Sequence, residues 1–236
     1  MEEKLNEIYK SLILPIALLT LAGGFITVYK DTNIYVYVFL FLLSAIFIYL
    51  YFSNINKYSD FKIISQEESI EILDTKGKKA ILNSEFEFKS LKENIQEMDF
   101  IVNAAGSIKN SQVENGIIDQ IIKEGSKTIF QIHTTKPIKK NDKYKIKFSC
   151  ELLDTFLEKK EYWEINKFST TSKLRLLISF PIERIPKEYK IYKIKGHKKH
   201  KAKKQPKLIN KHKNPTLLVE IEKIGSLDKY RIEWTW

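Results

Sequence analysis

The chain has 236 residues, 43% of them hydrophobic and 29% charged, with a net charge of +11. That length and apolar content exclude a wholly disordered polypeptide and allow one domain with a sizeable core. The single cysteine, Cys150, excludes an internal disulfide and fits a reducing compartment, where it is expected to act as a small buried hydrophobe.

The first elements are two apolar runs, Ser11 to Tyr29 and Thr32 to Ile55, without a Lys, Arg, Asp, Glu or His between them except in the short loop Lys30-Asp31-Thr32-Asn33. At about 1.5 Å per helical residue, each is long enough to cross a hydrocarbon core of about 30 Å. A loop this short makes the two spans antiparallel. Lys4, Lys10, Lys57 and Lys62 flank the outer ends and only Lys30 sits in the loop. The excess of positive charge predicts that both termini are cytoplasmic. A cleaved signal peptide is the competing reading. Met1–Lys10 fits it poorly, with three Glu against two Lys and no small-residue cleavage site. Pro15, Ala22-Gly23-Gly24 and Ser44-Ala45 are small or bent positions that let helices approach closely, within one hairpin or between copies. No span residue is charged, so the hairpin carries no ion or proton relay of its own. The expected organisation is a cytoplasmic N-terminus (1–10), a two-helix transmembrane hairpin (11–55) and a cytoplasmic β-rich domain (56–236).

Residues 1–53 hold three lysines against four acids, so residues 54–236 carry about +12. After a short linker at 54–60, alternating apolar and polar runs predict strands at 69–74, 81–88, 99–105, 128–134, 144–152, 162–168, 173–180, 189–195, 216–222 and 229–236. In Tyr144–Leu152, Tyr144, Ile146, Phe148 and Cys150 share one face. In the last strand Tyr230, Ile232, Trp234 and Trp236 face one way, and Arg231 and Glu233 the other. Short helices are predicted at Leu91–Met98 and at Val113–Glu124, where Ile117, Ile118, Ile121 and Ile122 have helical spacing. So many strands with few helices predict a membrane-anchored all-β fold: an antiparallel β-barrel, with a β-sandwich as the alternative.

Lys187–Lys213 holds twelve lysines, three histidines and the single acid Glu188. Its middle, Gly196–Asn214, lacks periodicity and is expected to be a long mobile loop. Lys198, Lys199, Lys201, Lys203 and Lys204 are candidates for contact with anionic lipid headgroups, each contributing about 1 kcal/mol near a surface. The alternatives are a merely solvated loop and non-specific phosphate capture. No specific nucleic-acid partner is predicted.

No P-loop, GxSxG or GxGxxG motif is present, and no pattern pairs two carboxylates in a cleft. The chain is expected not to be an enzyme. His133 lies within a strand, and His197, His200 and His212 lie among lysines that oppose a cation, so no metal site and no cofactor are predicted. The three arginines are Arg175, Arg184 and Arg231. Arg175 and Arg231 sit on predicted strands, and Arg pairs with phosphate and stacks on bases. Trp163, Tyr192 and Trp234 could supply stacking surfaces, and Lys145 a further cation. These six are the candidate ligand-binding residues. A surface arginine or a core aromatic is the plainer alternative for each.

Two N-terminal spans followed by a strand-rich domain resemble the two-transmembrane, β-strand-rich effectors of bacterial cyclic-oligonucleotide antiphage signalling. The likeness extends to Tyr162-Trp163-Glu164, to the strand ending in Phe180-Pro181, and to the closing Lys229–Trp236. The resemblance implies a multi-pass protein of the bacterial inner membrane. It implies a cytoplasmic barrel that senses a cyclic dinucleotide from a partner nucleotidyltransferase. Ligand binding then drives the hairpins to form a homo-oligomer that disrupts the bilayer and stops growth of the infected cell. The competing functions are a membrane-anchored scaffold or partner-binding module without a small ligand, and a lipid-binding envelope protein.

Overall fold

In the computed structural model the described residues are 43–44, 60–166, 170–195, 198–211, 214–225 and 228–236. Leu43 and Ser44 are helical; the rest are strands, turns and bends. Apart from those two residues and Asp60, the expected hairpin and linker lie outside the described residues. Among the described residues no helix is long and apolar enough to cross a membrane. A compact unit runs from Ser59 to Trp236.

That unit is all β. In chain order the strands are β1 (Phe61–Ile72), β2 (Lys79–Ser90), β3 (Ile95–Asn103), β4 (Ser107–Glu114) and β5 (Gly116–Glu124). They continue with β6 (Lys127–Ile138), β7 (Lys143–Leu153), β8 (Lys160–Asn166), β9 (Thr171–Ser179) and β10 (Glu188–Lys195). The last are β11 (Lys198–Lys201), β12 (Lys207–Lys211), β13 (Asn214–Ile224) and β14 (Lys229–Thr235). A seven-stranded sheet has the order β12-β13-β9-β1-β2-β7-β4, a four-stranded sheet β11-β10-β14-β8, and a three-stranded sheet β3-β6-β5.

Each of these sheets has two free ends, so the expected closed barrel does not form among the described residues. The inner faces instead share one core. Phe100 and Phe130 of the small sheet pack on Phe148 of β7, with ring centroids 4.4 and 4.8 Å apart. Trp234 of the four-stranded sheet lies 5.7 Å from Phe156 and 5.8 Å from Phe180. Ile70, Leu82, Ile132, Ile146 and Ile232 are fully buried between them. The predicted face of β7 holds: Ile146, Phe148 and Cys150 are buried, and burial pushes the Cys150 thiol up to about 12. The fold is not wholly antiparallel either. β1 and β9 pair in parallel, which a chain can reach only through a long crossover, here β2 to β8.

Neither predicted short helix forms; both segments are bends and strands. Leu91–Asn94 is a bend that ends at Asn94 (φ 56°), and β3 begins at Ile95. Val113–Glu124 is the end of β4, a turn at Asn115 (φ 64°) and all of β5. The register of β5 against β6 shifts between Ile118 and Gln120. One extra residue in a strand breaks its two-residue period, and the four isoleucines then mimic a helical repeat.

The described residues of the predicted lysine loop, 198–211 and 214, include two strands. β11 extends the four-stranded sheet from β10, and β12 extends the seven-stranded sheet from β13. The Gln205 amide ties the crossing to β10: its Oε1 accepts from Ile191 N at 3.3 Å and its Nε2 donates to the Ala202 carbonyl at 2.6 Å. Both strands are sheet edges. An edge needs no apolar face, and exposed lysines there oppose pairing with another chain.

The β1–β2 turn is fixed by Asp74, whose carboxylate accepts from the backbone N of Lys76, Lys78 and Lys79 at 2.8, 3.2 and 2.7 Å. Burial raises the Asp74 carboxyl, but these bonds outweigh it and hold the group below its ordinary value. Gly77 in this turn has φ 73°, and a Cβ would lie 1.8 Å from the Phe156 carbonyl oxygen. Only glycine fits that approach.

Candidate functional site

The four-stranded sheet brings four of the six predicted ligand residues together, but on opposite faces. β14 pairs with β8 and β10, setting Arg231 opposite both Glu164 and Tyr192, with Lys201 opposite Tyr192 on β11. The outer row is therefore Glu164, Arg231, Tyr192, Lys201. The neighbouring outer row is Tyr162, Glu233, Lys190. Lys160, Glu188, Lys199 and Lys229 share that face. Among the described residues it thus carries six cationic side chains against three carboxylates, with Tyr162 53% exposed between them.

The carboxylates organise the cations. Glu164 accepts from Arg231 Nε at 2.8 Å and meets Lys229 Nζ at 2.7 Å. The Arg231 guanidinium also lies 4.5 Å from the Tyr162 ring centre, a cation–π distance. Glu233 meets Lys160 at 3.3 Å, Arg231 at 3.9 Å, and Lys199. Burial raises both carboxyls. Hydrogen bonds from Lys229 and Arg231 to Glu164, and from Lys199 and Lys160 to Glu233, outweigh it and hold both below the usual glutamate value. Lys193, on the opposite side of β10, is raised by its hydrogen bond to Asp228 at 2.6 Å, beside the Tyr230 ring. Lys160, Lys190, Tyr192 and Glu233 line a shallow hollow of about 110 Å³ on the outer face.

The other predicted residues stand elsewhere. Trp234 is 1% exposed and packs in the core against Phe156, Phe180 and Trp236, so it offers no stacking surface to a ligand. Trp163 is 5% exposed on the inner face, where it borders a cleft and donates to Glu68 at 3.4 Å. Arg175 lies on the outer face of the seven-stranded sheet between Glu67 (3.3 Å) and Glu220 (3.8 Å). Lys145 is on the same face, 2.6 Å from Glu85. The lysines predicted to touch lipid are exposed. Lys198, Lys199 and Lys201 are on β11, and Lys203 and Lys204 are in the connection to β12. Lys199 pairs with Glu233 and Lys204 with Glu222 at 3.7 Å.

His133 lies 3.3 Å from Glu97 and 4.0 Å from Asp119 on the small sheet. Among the described residues no group of three or more His, Cys, Asp or Glu is arranged to hold a metal ion. His197 and His212 lie outside the described residues. Arg184, not predicted as a site, packs 3.6 Å over the Trp236 ring and donates to the Phe156 carbonyl at 3.3 Å. Glu164, Glu233, Tyr162 and Lys160 were also missed. Alternation already placed Arg231 and Glu233 on the polar face of the last strand. It carries no signal that β8 and β14 are neighbours.

No family model and no curated protein matches the chain. Among solved structures it is similar to a proposed protease from Parabacteroides distasonis, at 7% identity and a TM-score of 0.47. That match spans 75% of this chain and 40% of the other. It is also similar to the M1 zinc metallopeptidase from Deinococcus radiodurans, at 4% identity and a TM-score of 0.41, over 73% of this chain and 42% of that one. The chain therefore spans less than half the length of these proteins.

Proposed function

We propose that this chain is a membrane-tethered binding module whose β-rich domain takes an anionic ligand on the outer face of the four-stranded sheet. The observation that carries this reading is the row Glu164, Arg231, Tyr192, Lys201, with cations in excess around the exposed Tyr162 of the neighbouring row. Arg231 is already oriented by Glu164 and Tyr162, so little side-chain entropy is lost when a phosphate replaces water beside it. The two uncharged apolar runs support the tether. In its finer form, suggested by the resemblance, the protein is an antiphage effector of the bacterial inner membrane with its β-domain in the cytoplasm. The ligand is then a cyclic dinucleotide, and binding shifts the population toward an oligomer of hairpins that breaches the bilayer.

The test is thermal unfolding of the full chain in detergent with a panel of cyclic dinucleotides, beside an Arg231→Ala variant. A rise in midpoint with one ligand, lost in the variant, is expected. No shift across the panel, with no binding by calorimetry, overturns the nucleotide form.

A second reading, a partner-binding module without a small ligand, is favoured by β5. This free edge of the small sheet exposes Ile117 (64%) and Ile121 (50%). In that case Ile117→Lys abolishes association, and Arg231→Ala leaves it intact.

A further inference from the structure

The small sheet turns one face to the core, marked by Phe100 and Phe130, and one face outward. On an antiparallel sheet with one face buried, alternation leaves polar side chains on the other. Here an apolar row crosses all three strands on the outward side: Ile101, Ile129 and Ile122. Ile117 adds a side chain 64% exposed on the same face.

The charges around this row are acidic. Glu97, Asp99 and Glu124 lie on the outward face by register. Asp119, at the β5 bulge, reaches it 4.0 Å from His133. Among the described residues of these rows the only lysine or arginine is Lys127, 2.9 Å from Glu124, so with His133 neutral the face carries −3. Glu97, Asp99 and Asp119 have no lysine or arginine partner among the described residues. In a chain of net charge +11 this face is a local exception.

The four-stranded sheet supplies the complement. Its outer face carries six cations against three carboxylates, a charge of +3, around the exposed Tyr162. Lys190 and Lys201 on it have no carboxylate partner among the described residues. Each face thus has apolar or aromatic side chains with charges around them, the anatomy of a protein–protein contact. Both point away from the shared core, so they meet only between copies. Charges more than about 10 Å apart are screened at 0.1 M salt, so the apposed faces govern the contact and the total of +11 does not. We infer that the outward face of the small sheet docks on the outer face of the four-stranded sheet of a second copy. The faces differ, so the contact is head-to-tail and repeats into a ring or a filament. It joins faces and does not use the free edge of β5. It goes beyond the anion-binding reading: a second copy and a small anion compete for the same cations, and either can bind without the other existing.

Thiol cross-linking of the full chain in mild detergent tests this. Cys150 is 2% exposed, so a short bifunctional reagent reaches only introduced cysteines. One protein carries Gln120→Cys, in the row of Asp99, and a second carries Thr235→Cys, opposite Glu188. Both changes keep every charge. A cross-linked dimer is expected in the mixture and in neither protein alone, because a head-to-tail contact brings unlike faces together. Added salt should lower the yield. Glu97→Lys with Asp119→Lys in the first protein should lower it by at least about tenfold. Lys190→Glu with Lys201→Glu in the second should restore it against that reversed partner. Equal yields in the mixture and in the separate proteins overturn the proposal, as does no dimer in the mixture. So does an undiminished yield with the Glu97→Lys, Asp119→Lys protein when its unfolding midpoint matches wild type. No nucleotide is present at any stage, so failure here leaves the anion-binding reading standing.

Discussion

The outer faces of the two larger sheets are built on the same alternation and end with opposite characters. On the seven-stranded sheet one row crosses six strands: Glu220, Arg175, Glu67, Glu85, Lys147, Glu114. Four acids and two bases alternate there closely enough that Arg175 bridges two carboxylates and Lys147 meets Glu114 at 2.8 Å. Glu67 faces Glu85 directly, a repulsion that flanking cations offset. On the four-stranded sheet cations outnumber acids two to one, and tyrosines replace part of the ladder. Composition is shared across the chain; strand adjacency decides where the surplus charge collects. The cation surplus on one face is what the proposed anion site rests on, whereas in this row of the other face the acids outnumber the bases.

The largest expected effects test whether these faces back onto one core. Trp234→Ala on the four-stranded sheet and Phe148→Ala on the seven-stranded sheet should each cost about 3–5 kcal/mol. Both side chains are 1% exposed. Urea unfolding of the full chain in detergent measures both. A small Trp234 penalty beside a large Phe148 penalty would mean that the four-stranded sheet is only loosely attached. The comparison of two faces of one body would then fail.

Much of this fold was legible in the sequence, and the gaps have physical causes. All ten predicted strands are present, because a strand with one buried face must alternate. β1 was read only from Ser69, since its inner face carries Gln66 and Glu68 where alternation expects apolar side chains. That same departure marks the cleft. β5 was hidden by its bulge, β11 by lysines on both of its faces, and β12 by its five-residue length. Barrel closure was inferred from strand number alone, whereas closure depends on which strands pair. Of the outer face of the four-stranded sheet, the sequence singles out Arg231, which faces away from its apolar neighbours, and Tyr192, a ring that could stack. Trp234 was misjudged because an aromatic on an alternating strand is the same letter in a core and in a pocket.

A smaller effect separates the two arginines. Arg231 is 25% exposed, stacked on Tyr162 and bonded to a carboxylate that is itself 13% exposed. Arg231→Ala should cost about 1–2 kcal/mol, part of it through lost packing. Arg175 is 40% exposed between two open carboxylates, and Arg175→Ala should cost under about 1 kcal/mol. Ligand response should vanish only in the first. Equal penalties and equal ligand responses would remove the distinction between a functional face and a structural one.

The smallest expected effect sharpens the comparison through pH. Glu164 and Glu233 are held below the ordinary carboxylate value when folded, because lysine and arginine hydrogen bonds outweigh burial. A depressed folded value means that the unfolded chain takes up protons first as pH falls. The stabilisation from these two groups is therefore complete at neutral pH. It declines once pH drops below the unfolded glutamate value of about 4.3, and it is lost as pH passes through the folded values. A Glu164→Gln, Glu233→Gln protein lacks this term. It should be less stable than wild type at pH 7, with a flatter decline below about pH 4.3. Urea midpoints between pH 7 and pH 3 measure both slopes. Parallel acid limbs would mean that the lysines and Arg231 are spread in solvent and not drawn in around the two carboxylates. The outer face would then lose the organised cations on which the proposed ligand site depends.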